Sequence, residues 1–205
     1  MKKQNAREKI KFLTMSAVFA ALIVIVSFVP IKTLGLEITL SMVPIAVGAV
    51  CFGEYMGLAL GAVFGIVSFL QCLGYSQFGA MLLQINPFFT FLVCVPTRML
   101  AGYLGGLIAR LIIGKNTDNN GRKTAGFAVG SLLCPLLNTL FFMSTLVLLF
   151  YNSEYISGFA TALNAANPVH FIVLFVGING IVELACGAIL ALPCSLAVSK
   201  YLHRR

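Results

Sequence analysis

Residues 55–97 read YMGLALGAVFGIVSFLQCLGYSQFGAMLLQINPFFTFLVCVPT, 43 residues between Glu54 and Arg98 without one charge. A helix needs about 20 apolar residues to cross roughly 30 Å of hydrocarbon. As one helix this run would be about 65 Å long. It must therefore hold two spans and a break. The break is written in turn and polar residues: Gly74, Ser76, Gln77, Gly79, Gln84, Asn86 and Pro87.

The same pattern extends outward. Lys11 and Lys32 bracket 20 uncharged residues, Glu37 and Glu54 bracket 16, Lys123 and Glu154 bracket 30, and Glu154 and Glu183 bracket 28. These runs predict an all-α integral membrane protein: one six-helix domain over 1–205, with spans at roughly 12–29, 39–53, 55–73, 88–113, 125–151 and 169–199. The second is short and punctuated by glycine. Composition agrees: of 205 residues, 60% are hydrophobic and 10% charged, and mean hydropathy is +0.99. A soluble domain carries about 25% charged residues, so a soluble enzyme, a disordered tail and a disulfide-rich secreted module are excluded. The first apolar run has span length and no small-residue cleavage site after it, so it reads as a span and not a signal peptide.

The net charge of +8 is a matter of topology. Lys2, Lys3, Arg7, Lys9 and Lys11 precede the first span. Arg110, Lys115, Arg122 and Lys123 surround the loop between the fourth and fifth, and Lys200, Arg204 and Arg205 close the chain. With six spans, these 12 of 14 basic residues share one side, which places both termini in the cytoplasm. Lys32, Glu37 and Glu154 fall on the other side. No basic run is interleaved with aromatics, so nucleic acid is not the expected partner.

No catalytic constellation is visible. Gly114-Lys115 is followed by Asn116 and lacks the upstream glycine of a phosphate-binding loop. HExxH and GxSxG are absent. Cys51, Cys72, Cys94, Cys134, Cys186 and Cys194 form no CxxC pair and read as packing residues, so no metal site is expected. His170 reads as interfacial, and His203 as part of the tail.

Gly53, Gly57, Gly61 and Gly65 recur every four residues, in phase with Ala49. That spacing lines one helix face and lets backbones approach; packing inside the bundle accounts for it. Gly102 and Gly106 repeat the spacing in the fourth span, and Ala17 and Ala21 in the first. A small-residue stripe on a first helix also suits docking to another membrane subunit, although periodicity alone favours internal packing.

Charge within the hydrocarbon marks function by default. At 1.5 Å per residue, Arg98 lies about 16 Å from the outer end of its helix, Asn138 about 20 Å, Asn179 about 15 Å and Glu183 about 21 Å. All four thus fall near one level. Asn179 and Glu183 are four apart and share a face. Pro96 should open the helix just before Arg98. A guanidinium fork with amides and a carboxylate suits a small anionic solute bearing further polar groups. A structural Arg98–Glu183 ion pair explains the same residues equally well, and such a pair could open to admit a ligand. Segments 30–38, 74–87 and 152–168 lie on the outer side as candidate lids. Phe88, Phe89 and Phe91, just inside, suit the core better than a pocket wall.

Six spans, cytoplasmic ends and the Ala17-x-x-x-Ala21 pair resemble an S component, the substrate-binding membrane subunit of energy-coupling factor (ECF) transporters. The resemblance covers nearly the whole chain. Val95-Pro96-Thr97-Arg98, Asn138-Thr139 and Asn179-Gly180-Ile181-Val182-Glu183 resemble the pantothenate-type branch. The Phe52-Gly53-Glu54-Tyr55-Met56-Gly57 turn resembles the short cytoplasmic turn between helices two and three. The sequence departs from the branch where Thr97 separates the proline from Arg98, where Cys134-Pro135-Leu136-Leu137 replaces a Gly-Ser-x-Thr pattern, and where Val182 replaces a proline.

The resemblance implies capture of a vitamin-like anion, best matched by pantothenate, through Arg98, Asn138, Asn179 and Glu183. It implies docking through Ala17 and Ala21 to a transmembrane coupling subunit with two cytoplasmic ATPases in the cell membrane. The chain itself would carry no cofactor, with ATP used by the partners. Riboflavin, folate and thiamine remain alternative ligands; the absence of Trp lowers thiamine and folate without excluding flavin, since Phe and Tyr also stack. A stand-alone secondary carrier is the other alternative, but no internal repeat supports it.

Overall fold

A computed structural model of the chain describes residues 6–29, 31–33, 36–38, 40–114, 120–162, 164–174, 185 and 187–203. In chain order these form α1 (Ala6–Ser27), β1 (Ile31–Thr33), β2 (Leu36–Ile38), α2 (Met42–Phe52), α3 (Glu54–Gln71), α4 (Gln77–Ile85), α5 (Pro87–Ile113), α6 (Asn120–Phe150) and α7 (Glu154–Ala162). Residues 168–174 are helical. A π-helical turn (Gly187–Ala191) leads into α8 (Leu192–His203). Among the described residues three helices, α3, α5 and α6, are long and apolar enough to cross a membrane, and Phe12–Ser27, α2 and Ala188–Val198 are shorter apolar helices.

The uncharged run breaks where its polar residues fall, but the break is itself partly helical. α3 stops at Gln71. The Ser76 hydroxyl then accepts from Gly79 N at 3.2 Å and starts α4. Asn86 Oδ1 accepts from Phe88 N at 3.0 Å and Phe89 N at 3.2 Å, with Pro87 at the first helical position of α5. A side-chain cap followed by a proline, which has no N–H to satisfy, is a strong helix start. The segment expected as loop 30–38 carries a small antiparallel ladder in which Lys32 faces Glu37 across the strands.

The bundle is organised around α5. The glycine stripe of α3 lies directly on the α5 backbone. A Cβ on Gly57 would overlap the Gly102 carbonyl, and one on Gly102 would overlap the Gly57 carbonyl. At Gly61 it would meet the Arg98 carbonyl, and at Gly65 it would stand 2.7 Å from Val95 Cα. On its other side α5 meets α6, where a Cβ on Gly105 would lie 2.9 Å from Cys134 Cβ. The stripe is thus internal packing, as its spacing predicts.

Gly53, at φ +98°, joins α2 to α3 through a single residue. This is a conformation that glycine adopts without a Cβ penalty. Beside it the buried Glu54 carboxylate accepts a charge-assisted hydrogen bond from Arg110 Nη1 on α5. A Cβ on Gly106 would stand 2.8 Å from Glu54 Cα. At the opposite end of the bundle, Ser27 Oγ and Ser41 Oγ share a buried hydrogen bond of 2.8 Å, and Gln71 Nε2 donates to Ser27 O at 2.8 Å. This ties α1 to the ends of α2 and α3.

The apolar core falls into two main parts. One joins Phe19, Ile23, Ile45, Met56, Leu60 and Phe64. The other, toward the Asn86 end of α5, joins Phe78 and Leu82 of α4, Val93, Leu146 and Phe150, and Ile156 of α7.

Replacing Gly61 by leucine drives a side chain into the α5 backbone, which cannot yield as a flexible side chain would. We expect Gly61→Leu to destabilise the protein by at least about 1–3 kcal/mol, the usual cost of overpacking. Thermal unfolding of the detergent-solubilised protein checks this; a transition unchanged from the parent would contradict the close α3–α5 contact.

Candidate functional site

Arg98 sits in the middle of α5 with 8% of its surface exposed. Its surroundings follow from the local sequence. Pro96 has no N–H to give to the carbonyl one turn back, so the helix is open there. Thr97 Oγ1 turns back onto Val93 O. Side chains on a helix lean toward its N-terminus, and Arg98 follows that path. Its Nη1 donates to Cys94 O at 3.0 Å and Val93 O at 3.4 Å.

The guanidinium carbon lies 4.7 Å from the centroid of the Phe64 ring and 5.0 Å from that of Phe142. Both distances are within the range of cation–π attraction. Phe64 comes from α3, three residues after Gly61, and Phe142 comes from α6. The cation is therefore held by carbonyls of its own helix and by rings from the two helices packed on either side.

Asn138 is also buried, on α6, and its Oδ1 has no hydrogen-bond partner among the described residues. It stands four residues before Phe142 and so shares the α6 face that meets Arg98. An acceptor deprived of water without a donor is costly, about 1–3 kcal/mol. Phe142, one turn along α6 from Asn138, is what meets Arg98 from that helix. Asn179 and Glu183 lie outside the described residues, as does any Arg98–Glu183 pair.

The remaining candidates divide. Ala17 and Ala21 are both exposed, on the side of α1 away from buried Phe19 and Ile23. Of the three phenylalanines, Phe89 joins the core, whereas Phe88 and Phe91 are exposed. Phe91 packs edge-on to Phe69 at 5.6 Å. Their assignment to the core is corrected: both are exposed on α5. His170 is exposed and accepts from Ala166 N at 3.2 Å through Nδ1, a local turn contact. Cys72, Cys94 and Cys134 are buried and form no disulfide among the described residues.

Two of the three expected lid segments are short helices, α4 and α7. They meet through Phe78 and Tyr155, with ring centroids 5.9 Å apart. With Phe89 and Phe150 they form an apolar cap toward the Asn86 end. Burial pushes the Tyr155 phenol up, so it is a neutral group at physiological pH.

Sequence reasoning missed Phe64 and Phe142, and it missed the Glu54–Arg110 pair, having counted Arg110 only toward orientation. Phe142 carried a usable signal: it lies one turn from Asn138. A glycine stripe ending beside Arg98 offered the same for Phe64.

Chemically, the region offers a buried cation and a buried acceptor under an apolar cap. A ligand that supplies an anion to the first and an N–H or O–H to the second would satisfy both. The family model described as "ECF transporter, substrate-specific component" matches residues 11–195. No curated protein matches the chain.

If Asn138 serves a ligand and not the fold, Asn138→Leu should leave the thermal stability of the ligand-free protein unchanged or raise it. It should also weaken binding of the ligand that copurifies with the parent by at least about 10-fold, the cost of a lost buried hydrogen bond. Thermal unfolding and calorimetry on the same preparation separate the two; destabilisation without loss of affinity would contradict the role.

Proposed function

The chain belongs to the ECF transporter substrate-specific component family, and from that premise we propose that it captures a small vitamin-like anion, pantothenate above others. The family is one of transport components and not of enzymes. The observation that carries the reading is the buried Arg98, with a buried Asn138 on the facing helix whose Oδ1 has no hydrogen-bond partner among the described residues. Pantothenate has one carboxylate, one amide and two hydroxyls. Arg98 takes the carboxylate, while Asn138 and Asn179 bond the amide and hydroxyls. Glu183 accepts from a hydroxyl or, in the empty state, pairs with Arg98.

In this reading the chain crosses the cell membrane six times with both termini in the cytoplasm. The α4 and α7 ends face outward, where the solute arrives. A transmembrane coupling subunit docks on the exposed Ala17 and Ala21 face of α1, and two cytoplasmic ATPases drive release inward. The chain needs no cofactor of its own.

Arg98→Ala should abolish high-affinity pantothenate binding while leaving membrane insertion intact. Calorimetry on the purified variant tests this, and mass spectrometry of the ligand that copurifies with the parent identifies the vitamin directly. Retained affinity, or recovery of a cationic ligand, would refute the assignment.

Bulky replacements at the docking face, Ala17→Trp and Ala21→Trp, should spare binding but reduce uptake by cells at least about 10-fold, since close helix approach depends on small residues. Uptake at the parental rate, or robust uptake by the chain alone in ATPase-free vesicles, would overturn the docking reading in favour of a self-sufficient carrier.

A further inference from the structure

We propose that phospholipid covers the exposed face of α3 in the chain standing alone, and that two pairs of aromatic rings mark where the hydrocarbon of that bilayer begins and ends. The proposal rests on the reading of the chain as membrane-spanning and not on the ligand of Arg98. Tyr55, Ala59, Ile66 and Leu70 are the exposed residues of α3, and Leu73 continues them in the turn that follows. Their spacings of four, seven, four and three keep to one helical face. The glycines that seat α3 on the α5 backbone, Gly57, Gly61 and Gly65, lie on the other side. No exposed polar or charged side chain interrupts the stripe between Tyr55 and Leu73.

The ends of the stripe identify what covers it. At the start of α3 the Tyr55 ring stands edge-on to Tyr103 of α5, with centroids 6.1 Å apart. Past its other end the Tyr75 ring stands edge-on to Phe28, just beyond α1, at 5.2 Å. Tyrosine has an apolar body and a polar tip, and collects at the boundary between hydrocarbon and water. Tyr55 and Tyr75 are 20 residues apart, about 30 Å at helical rise, which is the thickness of the hydrocarbon layer. Contact with another protein sets no such distance; a bilayer does. Charge begins outside both pairs. Arg110, seven residues beyond Tyr103, keeps 61% of its side chain exposed while it holds Glu54, and the Lys32–Glu37 pairing follows Phe28. A strongly tilted α3 would bring the two tyrosines to less than a full hydrocarbon thickness, so the anchors set α3 close to the bilayer normal. Phe64 then falls near the midplane, nine residues from Tyr55 and 11 from Tyr75, and takes the Arg98 guanidinium, 4.7 Å from its ring, to that level.

The chain holds no tryptophan, so each substitution below adds a single indole. The full-length protein would be reconstituted alone in phosphatidylcholine vesicles that carry a nitroxide either just below the headgroup or at the end of the acyl chain. Fluorescence of Tyr55→Trp and of Tyr75→Trp should be quenched at least about twofold more by the shallow label than by the deep one, as for residues of an interfacial belt. Ile66→Trp should show the reverse order by at least about twofold, since it lies about 15 Å from either tyrosine. Tyr103→Trp repeats the Tyr55 measurement at the same level if the Tyr55 variant fails to fold. Leu140→Trp, on an exposed position of α6, controls for insertion. Quenching at Leu140→Trp with none at Ile66→Trp would mean that a second copy of the chain covers the α3 face, and would overturn the proposal. The same depth for Ile66→Trp as for the two tyrosine positions would overturn the belts. Absence of lipid quenching at every position would overturn the membrane-spanning reading beneath, and this proposal with it.

Discussion

The structure depends on how closely α3 approaches α5. Gly57, Gly61 and Gly65 bring the two backbones to a separation that any side chain would prevent. In hydrocarbon there is no hydrophobic force to drive helices together, so contact between small residues is a main source of association. The stripe also has a chemical result. It runs past the backbone of Arg98 and carries Phe64 to the same level, so one contact provides both the cohesion of the bundle and one wall around its buried cation.

A central arginine costs roughly 2.5–3.5 kcal/mol on insertion scales. The structure spreads the compensation. Cys94 O and Val93 O take hydrogen bonds from Nη1, and two rings meet the charge through their faces. Pro96 helps by loosening the helix where the side chain turns back. Asn138 Oδ1 is also buried, with no hydrogen-bond partner among the described residues. Natural proteins leave few such groups, and each calls for an explanation; in the proposed function a ligand supplies it.

Much of this was legible in the sequence. Runs without charge locate helices because ionised groups are so costly in lipid, and that cost does not depend on tertiary detail. Arg98 and Asn138 stood out for the same reason, and their common level followed from helical rise alone. The helices α4 and α7 were not legible. They are nine residues each and start among glycine, serine and asparagine, so their signals match those of the turns that border them. Nor were the ring contacts: a phenylalanine in an apolar span looks the same whether it faces lipid, core or a guanidinium. Phe88 and Phe91 show the converse, aromatic residues that read as core and are exposed. The Glu54–Arg110 pair needed the one-residue turn at Gly53 to bring an acidic helix start against the end of α5.

That turn has a mechanical consequence. With α2 joined to α3 through one glycine, Glu54 bonded to Arg110, and α3 flush on α5 at Gly57, Gly61 and Gly65, these three helices are tied together at several points along their length. The buried cation stands within this tied part, and the short helices at the Asn86 end and the π-helical turn at Gly187–Ala191 lie outside it.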